Sequence, residues 1–107
     1  MTVRSPWYTL EPYPQIPLYR YLENAAASHH SRPALITPGG EARTFGETLA
    51  ATRRVVRLLS ADVQRGDRVA FLAASSPAYA VALYGTMSAG AIVAPMNPLL
   101  KPEELLR

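Results

Sequence analysis

The sequence contains no cysteine. A disulfide framework and a thiolate metal site are therefore excluded, and a reducing, cytoplasmic setting is expected. Histidine is confined to one adjacent pair, His29 and His30. Neighbours on a helix point about 100° apart, unlike the i, i+4 spacing of a helical metal pair. The two imidazoles read instead as the end of a helix, where its dipole favours them. Long hydrophobic runs are absent. The stretch from Ala89 to Met96 is broken by Gly90 and Pro95 and falls far short of the about 20 residues of a membrane helix. No apolar segment near the N-terminus precedes a small-residue cleavage site, so no secretory signal is read. Of the eleven basic residues only Lys101 is lysine. It sits in a Pro-bounded loop with no burial signal around it.

What is present is globular in character. Hydrophobic residues make up 49% and charged residues 18% of the 107, which suits one packed unit rather than a disordered chain. The net charge of +3 invites a nucleic-acid reading. The arginines are mostly scattered, however, and the densest group, Arg53, Arg54 and Arg57, lies on one expected helix without interleaved aromatics. A solvated helix face accounts for it better than a phosphate track.

Proline is plentiful. Pro6, Pro12, Pro14 and Pro17 punctuate residues 1–17, with Trp7, Tyr8 and Tyr13 among them, so this stretch is read as an extended arm lying on a folded body. Leu18 to about His29 is expected to be a helix with Leu18, Tyr21, Leu22 and Ala25 on its inner face. Ala34 to Thr37, a Pro38–Glu41 turn and Ala42 to Thr44 make a short hairpin. Thr44 and Glu47 have the spacing of a capping box, which opens a helix to about Ala61. Phe45, Leu49, Val56 and Leu59 form its expected buried stripe, with the three arginines on the wet side. Gly66 suits a positive-φ turn. Arg68–Ala73 and Ala91–Pro95 read as strands covered on both faces, and Ser76–Pro77 starts the helix that joins them, ending at Gly90. Strand, helix, strand is a parallel βαβ unit. The chain then stops inside a further helix, Pro102 to Arg107, whose Leu105 and Leu106 have no following turn or C-cap. It is expected to be the opening section of something longer.

None of the candidate chemical groups forms a recognisable active site. Gly85 to Gly90 has P-loop glycine spacing, but Ala91 and Ile92 stand where Lys and Ser/Thr should be, so close packing and a C-cap explain the glycines. Asp62 and Asp67 flank a turn, and Glu103 and Glu104 suit the first turn of a helix. Ser75 and Ser76 could offer amides to an anion, though a plain N-cap is the simpler reading. No catalytic, cofactor-binding or metal residue is assigned.

The order and wording of the segments carry a resemblance. Thr44-Phe45-Gly46-Glu47-Thr48, Val63 to Ala70, Ser75-Ser76-Pro77-Ala78-Tyr79 with Ser88-Ala89-Gly90-Ala91, and Pro95-Met96-Asn97-Pro98 with Pro102-Glu103-Glu104-Leu105 occur in the right order with the right gaps. Together they resemble the N-terminal part of the AMP-forming acyl-CoA synthetases, the adenylate-forming superfamily, over about Leu18 to Arg107. Ser75, Ala78 and Asp62 depart from the usual Asn, Glu and Gly. The resemblance implies an α/β fold: residues 18–107 as a partial N-terminal subdomain of the large domain, truncated at Arg107, with arm 1–17 across it.

For a full-length parent the resemblance implies ATP, Mg²⁺ and CoA as cofactors and a small carboxylic acid as substrate. A fatty or medium-chain acid is expected first, an aryl acid second and an amino acid third. The segment alone is expected to bind no cofactor and to be inactive, because the family's phosphate loop and catalytic lysine lie beyond it. Its partner would be the remainder of its own chain, or a protein acting in trans, and not a nucleic acid or a membrane. The alternative is a free-standing, non-catalytic interaction module derived from such an enzyme.

Overall fold

The computed structural model describes residues 6–8, 13, 15–99, 101 and 103. Among the described residues three helices and two two-stranded sheets follow one another along the chain. They are α1 (Leu18–His29), β1 (Pro33–Ile36), β2 (Ala42–Thr44), α2 (Phe45–Leu59), β3 (Arg68–Phe71), α3 (Pro77–Ser88) and β4 (Ile92–Pro95). β1 pairs with β2 antiparallel, and β3 pairs with β4 in parallel, with Arg68 opposite Ile92 and Phe71 opposite Pro95. The architecture is mixed α/β, with the expected hairpin and βαβ unit.

Local chemistry sets the element ends. At the start of α2 the Thr44 hydroxyl accepts from the Glu47 N–H at 3.1 Å, and the Glu47 carboxylate accepts from the Thr44 N–H at 3.1 Å. Two of the otherwise unpaired amide donors at that end are thereby met. At the start of α3 the Ser76 hydroxyl accepts from the Tyr79 N–H, and Pro77 takes the first helical position, where no amide is needed. After α3, Gly90 adopts φ +84, a left-handed conformation that releases the chain into β4.

The core differs from the expected one. The fully covered residues of α2 are Gly46, Thr48, Ala51 and Thr52. Phe45, Leu49, Val56 and Leu59 are only half-buried. The cause lies in α3, on which α2 chiefly packs. Gly85 meets α2 so closely that a Cβ there would stand 2.5 Å from Val55 Cγ1 and 2.6 Å from Val55 Cβ. Helices that approach to this degree leave room between them only for small side chains. In α1, likewise, Leu22 and Ala26 are buried, whereas Leu18 and Tyr21 are 53% and 44% exposed.

The sheet of β3 and β4 is covered on one face only among the described residues. Phe71 turns towards α3 and meets Tyr79 edge to face, ring centroids 5.4 Å apart. On the other face Ala70, Leu72 and Ile92 are exposed. The apolar composition of these strands led to an expectation of cover on both sides. Burial depends on what lies above the sheet, which strand composition does not encode. Of the arm, Trp7, Tyr8 and Tyr13 present 81%, 98% and 59% of their surface to solvent. The expected final helix lies outside the described residues apart from Glu103, which is helical.

Candidate functional site

The groups singled out in the sequence are dispersed, and most take part in local structure. His29 closes α1 and His30 caps it, both at the surface. The His30 imidazole lies flat against Gly46, where even a methyl group would collide with the ring. The Asp67 carboxylate accepts from the Gln64 N–H at 2.8 Å and shapes the turn before β3. Asp62 is exposed at the end of α2, and its N–H donates to the Leu59 carbonyl. Ser76 spends its hydroxyl on the α3 cap. Beside it, Ser75 lines a cleft of about 430 Å³ whose opposite wall is Leu35, Ile36 and Pro38 of the hairpin. Gly85 is a packing residue and Gly90 a turn, so neither cradles a phosphate. Glu103 is helical and exposed, and Glu104 is outside the described residues. Among the described residues no three His, Cys, Asp or Glu side chains come together as metal ligands.

One perturbed group is structural. The backbone N–H of Thr44, and after it the Thr44 hydroxyl, hold the Glu47 carboxyl below its ordinary pKa. This is the capping box stabilising the charged form, on a side chain open to water.

The most developed concavity is a groove of about 570 Å³ between α1 and α2. Tyr19 from α1 and Leu49 and Val56 from α2 supply apolar wall, and Arg53, Arg54 and Arg57 line it with charge. Such a volume lies within the usual range of small-molecule sites, roughly 300–1,000 Å³. Glu23 also lines the groove, but its carboxylate pairs with Arg20 at 3.2 Å. None of the three groove arginines has an ion pair among the described residues.

Thr52, only 2% exposed, forms part of the same lining. Its hydroxyl is the buried side-chain oxygen that finds no hydrogen-bond partner among the described residues. Arg53, Arg54 and Arg57 are exposed, as expected of a solvated helix face, whereas no motif in the sequence singles out Thr52. Thr48, Ala51 and Thr52, small residues at helical spacing, were the available signal for a close helix contact at that point.

The comparisons agree with the order of elements. A family model described as AMP-binding enzyme matches residues 22–107. A long-chain-fatty-acid–CoA ligase of Yersinia pestis is 38% identical over 90 residues, which cover 82% of this chain and 16% of the ligase. A feruloyl-CoA synthase of an Amycolatopsis species is 42% identical over 71 residues, 63% of this chain and 14% of the synthase. Among solved structures, a fatty acyl CoA synthetase of Mycobacterium tuberculosis superposes with a TM-score of 0.78 at 26% identity, covering 83% of this chain and 18% of that one. The chain thus spans about a sixth of the length of the curated ligase it matches.

Proposed function

The chain belongs to the AMP-binding enzyme family, and from that premise we propose that it is the N-terminal section of an ATP-dependent acyl-CoA ligase acting on fatty acids. The observation that carries this is the 38% identity to a long-chain-fatty-acid–CoA ligase across 82% of the chain. The feruloyl-CoA synthase is more identical but over a shorter span, so aryl acids are the second choice of substrate. In the parent, a carboxylate attacks the α-phosphate of ATP to give an acyl-adenylate and pyrophosphate, and the CoA thiol then takes the acyl group, breaking the acyl–phosphate bond and releasing AMP. Mg²⁺ neutralises phosphate charge in that first step, and alignment at phosphorus does most of the remaining work.

Within such a parent, residues 18–107 form part of the N-terminal subdomain and residues 1–17 a proline-rich arm, whose described aromatics Trp7, Tyr8 and Tyr13 stand out to solvent rather than lying on the folded body as expected. The role of this section is structural: its helices and parallel strands support one flank of a site built elsewhere. We assign no catalytic, cofactor or metal residue to it, and we place the parent in the cytoplasm. A second reading, a non-catalytic interaction module, draws support from the open face bearing Ala70, Leu72 and Ile92.

The test starts from the intact mass of the native gene product, followed by assays of that product and of the 107-residue chain. The whole product is expected to be several times larger than 11.7 kDa, and to release pyrophosphate and form a thioester with long-chain acids and CoA. Thioester formation only with aryl or amino acids would remove the substrate class. A native product of 11.7 kDa would favour the interaction module. Carboxylate-dependent pyrophosphate release by the 107 residues alone would overturn the structural role.

A further inference from the structure

We propose that the groove between α1 and α2 binds a single-chain anionic amphiphile, a carboxylate or phosphate head on a hydrocarbon body. Three observations converge there. The groove is open to solvent, and its volume of about 570 Å³ lies in the range of small-molecule sites. Its walls include Tyr19, Leu49 and Val56, partly exposed apolar side chains that gain by being covered. Arg53, Arg54 and Arg57 bring three positive charges to it, with no carboxylate partner among the described residues.

Charge patterning makes the asymmetry specific. Glu47 is the sole acid of α2, and it is engaged with Thr44 at the far end of the helix. Glu23, the acid in the lining, is already paired with Arg20. The groove therefore presents guanidinium donors whose fixed fork matches the oxygens of a carboxylate or phosphate. An apolar wall without the arginines would select any oily molecule, and the arginines without the wall would select any anion. Their combination selects a ligand that carries both. The inference concerns a site outside any ligase chemistry and stands whether or not the parent is a ligase.

The test is calorimetric titration of the native protein with decanoate and decyl phosphate, each below its micelle concentration. Decanol and inorganic phosphate serve as the tail-only and head-only controls. Saturable binding of both anions is expected, with the groove contributing one equivalent per chain beyond any held at an acyl-substrate site, and either control weaker there by about tenfold or more. R53Q/R57Q, at exposed positions, should weaken that equivalent by about tenfold or more and leave decanol unchanged. Ala50 is exposed on the groove wall, so A50W should fill the space and remove that equivalent alone, without disturbing the core. Binding should also weaken from 0.1 to 1 M salt, as the screening length falls from about 10 to about 3 Å. Equal affinity for decanol, indifference to R53Q/R57Q, no binding of either anion, or binding to anionic vesicles but not to monomers would each overturn the proposal.

Discussion

Replacing Gly85 by alanine sets two well-characterised effects against each other. In a helix interior, Gly→Ala gains about 1 kcal/mol, because glycine loses more backbone freedom on folding. At position 85 the new methyl would stand 2.5 Å from Val55 Cγ1, 2.6 Å from Val55 Cβ and 3.3 Å from the Thr52 carbonyl oxygen. Carbon atoms in contact settle at about 3.5–4.0 Å, so the shortfall is about 1 Å. Rotating the Val55 side chain could move Cγ1 away. It cannot move Cβ, which is fixed to the α2 backbone. The helices themselves must therefore part, which opens the Thr48–Ala51–Thr52 seam at a cost of about 1–3 kcal/mol.

The balance is a net loss of up to about 2 kcal/mol for G85A, measurable by urea unfolding of the chain followed by far-UV circular dichroism. The Val55 partner supplies a sharper check. V55A keeps the obstructing Cβ and should rescue G85A little. V55G removes it, and a double-mutant cycle between V55G and G85A should show a favourable coupling of about 1 kcal/mol or more. A G85A variant that is more stable than the parent by the full helix-propensity gain would refute the close helix contact described above.

Thr52→Val removes a buried hydroxyl that has no partner among the described residues and should stabilise the fold by about 1–2 kcal/mol in thermal or urea unfolding; a loss of stability would mean that the hydroxyl is hydrogen-bonded. Glu47 has a folded-state pKa depressed below its unfolded value, so its contribution is fully present above the unfolded pKa and is lost as pH falls through the folded one. In a pH series of unfolding midpoints, E47Q should therefore show a flatter acid limb than the parent, and an unchanged limb would count against the capping box.

The parts of the fold that short-range chemistry decides were legible in the sequence. Thr44 with Glu47, Ser76 with Pro77, and the glycines at 66 and 90 each fix a helix end or turn through groups within a few residues. The parts decided by distant neighbours were not. Ranking α2 by hydrophobicity pointed to Phe45, Leu49, Val56 and Leu59, yet its inner face is Thr48, Ala51 and Thr52, because a glycine some 30 positions away admits close approach. The groove was illegible for the same reason. Arg53, Arg54 and Arg57 are the exposed helix face their pattern suggests, but that they border a groove depends on α1 lying beside them with Tyr19 in the lining. The family was legible in the order and spacing of short segments between Thr44 and Leu105, and the matched span of residues 22–107 covers nearly the whole stretch of the resemblance.

The two strands of the parallel sheet begin at turns that are tied to each other. Gly66 and Gly90 share a left-handed backbone, and the Gly66 N–H donates to the Gly90 carbonyl at 2.9 Å. One step further on, the Ile92 N–H donates to the Asp67 carbonyl at 2.7 Å. Strand alignment is thus set at a clasp before the first paired residue, rather than left to the short strands to find. A slip of one residue would exchange the two faces of the sheet and turn Phe71 away from Tyr79. Lengthening the polar loop ahead of Gly66 leaves the clasp closed, whereas a single residue inserted between Gly66 and Arg68, or between Gly90 and Ile92, throws it out of step. The segment keeps its alignment through two fixed intervals, while the loop beside them is free to vary.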